Sequence, residues 1–214
     1  DQLSNAAWAA LQNPDYLPLK HLVTGYLEAQ LLSVEPRLRE MLKSPSAKNI
    51  PEFLRGTGGR LSRGEAYLQQ PYRVYDMPRY FAGGHIFLFR SLVLWGHHLS
   101  FHLILTGEFA AKLGPVLITR RRQIPAEWIL ATHATPWVWD RAAPGWHTFA
   151  NLSNDEIQLL STKVPYCKIS RFYPLSSVKQ LPDLAAKNWQ FWQDFFHEAE
   201  FDILLPTEDI GNAD

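Results

Sequence analysis

Most of the signals that announce a chemistry are missing from this 214-residue chain. Cysteine occurs once, at Cys167, which excludes an intrachain disulfide and any CxxC or Cys/His zinc pattern. A chain without a disulfide framework fits a reducing compartment, so the cytoplasm is the expected location. No run approaches the roughly 18 apolar residues that a membrane helix needs. The nearest, residues 86–105, is broken by Arg90, Gly96, His97, His98 and His102, and no membrane partner is expected. The N-terminus has neither the charged nor the apolar region of a signal peptide. Neither sign of charge predominates, with 21 Lys and Arg against 21 Asp and Glu. A nucleic-acid binder usually carries a basic excess or a basic face. The short run TRRRQ at residues 119–123 reads as a solvated strand end, and no nucleic-acid partner is expected. GxSxG, SxxK, DxDxDG and P-loop patterns are all absent, as are internal repeats.

What the chain does have is aromatic mass: 13% of residues, including eight tryptophans and twelve phenylalanines. With 46% hydrophobic and 20% charged residues, it is composed like a globular protein with a substantial core. Fifteen prolines punctuate it and argue against long uninterrupted elements beyond residue 45. Residues 1–44 read as helical. Ser4 is placed to cap SNAAWAALQN, and Leu19, Val23, Tyr26, Leu27 and Leu31 then recur at helical spacing, with Pro36 positioned to kink or split the segment. Residues 45–64, rich in Gly, Pro and Ser, read as a loop, and residues 65–175 as mainly β. PVLITRR, WILATHA, PWVWD and PYCKISRFYPL are strand candidates beyond residue 110. Residues 182–203 carry a helical stripe through Leu184, Trp189, Trp192 and Phe196, and an acidic tail follows that is expected to fray. The predicted fold is a single α+β domain over residues 1–214. It has an N-terminal helical pair, a central antiparallel sheet with a hairpin at 86–106, and a C-terminal amphipathic helix.

The densest candidate for chemistry is SLVLWGHHLSFHLILTG, residues 91–107. On a helix, His98 and His102 would be i, i+4 neighbours able to share a metal. On a strand they lie roughly 13 Å apart, too far to chelate one ion. Gly96-His97 suits a two-residue hairpin turn, which favours the strand, and neither a metal nor a cofactor is expected. That turn pairs Trp95 with His98 and Val93 with Ser100, so His98, His102, Ser100 and Trp95 share a mixed face. Leu94, Leu99, Leu92 and Phe101 take the face under the helices. The mixed face is either a semi-buried wall of hydrogen-bonded imidazoles or the wall of a ligand pocket.

Arginines supply the other candidates. RGTGGRLSRGE places Arg55, Arg60 and Arg63 among glycines, as an anion-binding loop would, although a solvated loop has the same composition. In PYRVYDMPR, alternation puts Arg73 and Tyr75 on one face and Tyr72, Val74 and Asp76 on the other, with Asp76 and Arg79 placed as a turn pair. Arg73 or Arg79 could instead clamp a carboxylate or phosphate. The tryptophans of residues 133–149 can line a surface or plug a loop onto the core. The expected function is a non-catalytic binding or interaction protein with an aromatic-rich surface, working with a protein partner or as a homo-oligomer. The alternative is a small-molecule enzyme with His98 or His102 as general base beside an arginine; its ligand does not follow from the sequence.

Overall fold

A computed structural model describes residues 3–198, with the side chains of residues 150, 159–163 and 198 left undescribed. Three helices come first: α1 (Asn5–Gln12), α2 (Tyr16–Leu32) and α3 (Val34–Leu42). The Ser4 hydroxyl accepts from the Ala7 amide and caps α1 as expected. A one-turn helix α4 (Glu52–Arg55) leads into β1 (Arg60–Tyr67), β2 (Gln70–Ala82), β3 (His85–Leu94) and β4 (His98–Thr106). After α5 (Glu108–Arg120) come β5 (Ile129–Ala131), β6 (Trp146–Thr148), α6 (Asn154–Lys163), β7 (Tyr166–Tyr173) and α7 (Leu181–Glu198). The seven strands form one antiparallel sheet in the order β1-β2-β3-β4-β7-β5-β6. The α+β class, the hairpin and the C-terminal helix are as predicted. Residues 199–203 of the expected helix, and the acidic tail, lie outside the described residues.

One sheet face carries the main core. Phe87, Phe89, Phe101 and Leu103 project from β3 and β4 beneath α3, α5 and α7, where Trp189, Trp192 and Phe196 are fully covered. Phe89 stacks on Phe101 with centroids 6.2 Å apart, and Trp189 packs at 5.3 Å from Phe89. These rings account for much of the aromatic content, since each buries on the order of 150–250 Å².

Several expectations fail for local reasons. The PVLITRR segment is the second half of α5, not a strand. Phe109, Leu113 and Leu117 recur at four-residue spacing, all buried, and that stripe outweighs the β-branched residues and Pro115. A second helix, α6, interrupts the region read as β; Ser153 and Glu156 form a capping box at its start. PWVWD forms no strand, and residues 45–64 contain α4 and the start of β1 as well as loop.

The hairpin register also differs. The connection is three residues long, Trp95-Gly96-His97, so Leu94 pairs with His98, Leu92 with Ser100 and Arg90 with His102. Gly96 takes the left-handed conformation at φ +70°. One extra loop residue exchanges the faces of β3 relative to β4. Leu88, Arg90, Leu92 and Leu94 therefore share the histidine face, while Leu99 and Phe101 join Phe89 and Val93 in the main core. Trp95 packs against the main core and is not beside His98.

Candidate functional site

The histidine face has its own cover. Between β5 and β6, residues 132–145 fold back over β3, β4 and β7, and Trp139 seats among Val74, Leu88, Leu92 and Ile104. Beneath it, His102 is fully buried with both ring nitrogens engaged: Nε2 lies 2.9 Å from the Ser100 hydroxyl and Nδ1 2.7 Å from that of Ser170. Burial, reinforced by the nearby Lys168 charge, holds its pKa well below the ordinary histidine value. His98 is packed 4.7 Å from the Phe172 ring, and burial pushes its pKa down to about 4. Both imidazoles are thus neutral wall residues in a mostly apolar layer. No group of three His, Cys, Asp or Glu side chains able to hold a metal occurs among the described residues.

Lys168, which the sequence reading passed over, is central to this layer. Its side chain is fully buried, its Nζ donates to the Val138 carbonyl, and it lies 4.5 Å from the Trp139 ring centroid and 5.0 Å from that of Trp146. Burial moves its pKa well down, with the Arg90 charge adding in the same direction. The carbonyl and the two ring faces oppose that shift by stabilising the ammonium. The lysine pins the tryptophan-bearing segment to the sheet. The only advance signal was a lysine inside an otherwise apolar strand, YCKIS.

The Tyr67 end of β1 is held under this cover, its hydroxyl accepting from the Trp139 and Asp140 amides, while toward the Arg60 end a cleft of about 660 Å³ opens on the same face. Arg60, Ser62, Asp76, Arg79 and Arg90 line it, with Phe81 at its rim. Arg60 comes from β1 at the position paired with Asp76. Between Asp76 and Arg79 the β2–β3 register shifts by one residue, and this bulge brings Arg79 to the face of Asp76, where strict alternation would send it to the other. Asp76 is not the turn partner of Arg79. It takes a bidentate pair from Arg90, Nε and Nη2 each at 2.7 Å. The Arg90 guanidinium also sits 5.2 Å from the Trp137 ring centroid and 4.8 Å from that of Trp139, so it is fixed on three sides. Arg60 and Arg79 have no carboxylate partner among the described residues, and Arg79 Nε is buried without a hydrogen bond.

The structure therefore splits the arginine candidates. Arg60 and Arg79 share the cleft with Arg90, which the sequence reading had not singled out. Arg63 and Arg73 lie on the opposite face, where both bind Glu28 of α2. Arg73 also reaches Glu65 and the carbonyls of Gly64 and Tyr72, so its donors are already engaged. Arg55 ends α4 and does not line the cleft. Ser100 and His102 are sealed under Trp139 and Phe172, outside it. No helix among the described residues is long and apolar enough to cross a membrane. No family model and no curated protein matches the chain.

Proposed function

We propose that this chain is a non-catalytic binding protein whose ligand is a small molecule bearing a carboxylate or phosphate, held in the Arg60–Arg79–Arg90 cleft. The observation that carries the reading is the charge imbalance. Three arginines line one cleft with a single carboxylate, and that carboxylate is consumed by Arg90. Arg60 and Arg79 line the same cleft without a carboxylate partner among the described residues, and an incoming anion would accept from their forked N–H groups. Phe81 and Trp137, both partly exposed, offer an apolar rim for the rest of the ligand.

The groups in the cleft favour holding over turnover. Its one carboxylate is locked in a bidentate pair, and of the histidines that could act as general base, His102 lies under Trp139 and His98 is buried against Phe172. The buried Cys167 thiol, its pKa pushed up to about 12 by burial, stays protonated near neutral pH and offers no nucleophile.

A thermal-shift panel tests the reading. It compares phosphate, a dicarboxylate, an aromatic carboxylate and a nucleoside monophosphate with their neutral analogues. A ligand at a hundred times its Kd stabilises the fold by about 2.7 kcal/mol, or roughly 5–10 °C in a chain of this size. At least one anion is expected to give such a shift, and the Arg60→Gln, Arg79→Gln double variant is expected to lose it. No shift with any anion, or an equal shift in the variant, rejects the proposal.

A further inference from the structure

Exposed apolar surface is concentrated in the N-terminal helices α1 and α2. Of twelve large hydrophobic side chains left exposed among the described residues, nine lie between Leu3 and Leu32. Trp8, Leu11, Leu17, Leu19 and Leu22 are each 49–71% exposed. Helix α1 has no buried residue at all. Eight residues are too few for a stable isolated helix in water, where about 12–15 are marginal even in alanine-rich sequences. A Ser4 cap does not close that gap, so α1 requires a packing partner that the described residues do not provide. A groove between α2 and the β3–β4 turn has the complementary character. Val23, Tyr26, Val93, Trp95, Leu175 and Val178 line about 370 Å³ that is almost wholly apolar, and an adjoining groove of about 460 Å³ shares Val23 and Trp95 with it.

We infer that a second copy of this chain covers this face, with Trp8 and Leu11 of each α1 seated in the groove between α2 and Trp95 of the other copy. Charge argues for a like partner. Residues 3–32 contain two acids, Asp15 and Glu28, and one base, Lys20, beside His21, and Glu28 is paired with Arg63 and Arg73. Lys20 is paired with Glu65 at 2.8 Å. A face this neutral lacks the basic residues that bind nucleic acid or anionic lipid, and it meets no repulsion from its own copy. Area is sufficient: the nine exposed side chains project from several sides of α1 and α2 and together offer on the order of 800 Å², an upper bound that matches one partner's share of a standard interface. Arm and groove lie on the same chain, so a two-fold axis satisfies both at once and closes the assembly at two copies.

Sedimentation equilibrium across micromolar concentrations tests this. The expected mass is twice 24.6 kDa, falling to one chain in the Trp8→Glu, Leu11→Glu double variant. Neither residue is buried in its own subunit, so the variant keeps its core and the bulk of its far-ultraviolet circular dichroism. Val23→Asp, from the groove side, is expected to dissociate the dimer as well. Leu68→Glu, an exposed apolar residue at the β1–β2 turn, is expected to leave it intact. A monomer at all concentrations overturns the inference, as does a dimer that survives the α1 substitutions. A monomer that floats with phosphatidylcholine vesicles also overturns it and assigns the face to lipid.

Discussion

Replacing His102 by alanine separates a structural imidazole from a chemical one. The side chain is fully buried between Trp139, 5.3 Å away, and Phe172, 5.9 Å away, and it joins the buried hydroxyls of Ser100 and Ser170. A neutral imidazole has one donor and one acceptor, and a serine hydroxyl can serve either, so the three groups satisfy one another. Truncation removes the ring and leaves a cavity, which in packed interiors costs about 2–5 kcal/mol. It also strips two buried hydroxyls of their partner, at about 1 kcal/mol or more each. The expected loss is about 4–7 kcal/mol, or roughly 8–28 °C in melting temperature for a chain of this length. Guanidinium and thermal unfolding followed by far-ultraviolet circular dichroism read it directly. His102→Gln, which keeps a donor and an acceptor, is expected to recover about half of the loss. Anion titration of the folded variant should match that of wild type, because His102 does not reach the cleft. A melt within about 2 °C of wild type, with a weakened ligand response, would refute this reasoning and return the histidine to the site.

Other perturbations probe the same layer. Asp76→Ala strands the Arg90 guanidinium, whose side chain is only 12% exposed, and is expected to cost about 3–5 kcal/mol by chemical denaturation. Added phosphate should restore part of that loss, since the freed arginine then faces the cleft without its carboxylate. Acid should destabilise the fold. His98 has its pKa lowered to about 4, so between its ordinary 6.5 and about 4 the unfolded chain takes up a proton that the folded chain refuses. Stability falls with decreasing pH across that window by up to about 1.4 kcal/mol per unit for this one group, and His98→Phe should flatten the slope of melting temperature against pH. Gly107 has φ +58°, and a Cβ there would overlap the His85 imidazole, whose Nδ1 accepts from the Glu108 amide at 3.2 Å. Gly107→Ala is therefore expected to lower stability by about 1–3 kcal/mol.

How much was legible in the sequence can be traced to individual residues. Ser4, the α7 stripe and the β3–β4 hairpin were readable because caps and hydrophobic periods are local signals. Ser153 and Glu156 held an equally local signal, a capping box, that the strand-like composition around it obscured. Two single-residue irregularities defeated the site. The third loop residue in Trp95-Gly96-His97 exchanged the faces of β3, and the bulge after Asp76 turned Arg79 toward Arg60. Period-two reasoning cannot register either insertion, because each depends on what the neighbouring strand does. The pairing of Asp76 with Arg90, and the cover that Trp139 and Lys168 provide, are long-range contacts. No spacing within one segment encodes them.

A crystal structure of the protein soaked with the anion that most raises its melting temperature would test the central claim most directly. The account predicts density for the acidic group between Arg60, Arg79 and Arg90, with the ligand body against Trp137 or Phe81. An empty cleft at saturating ligand, or density for the anion at a different surface, would contradict it.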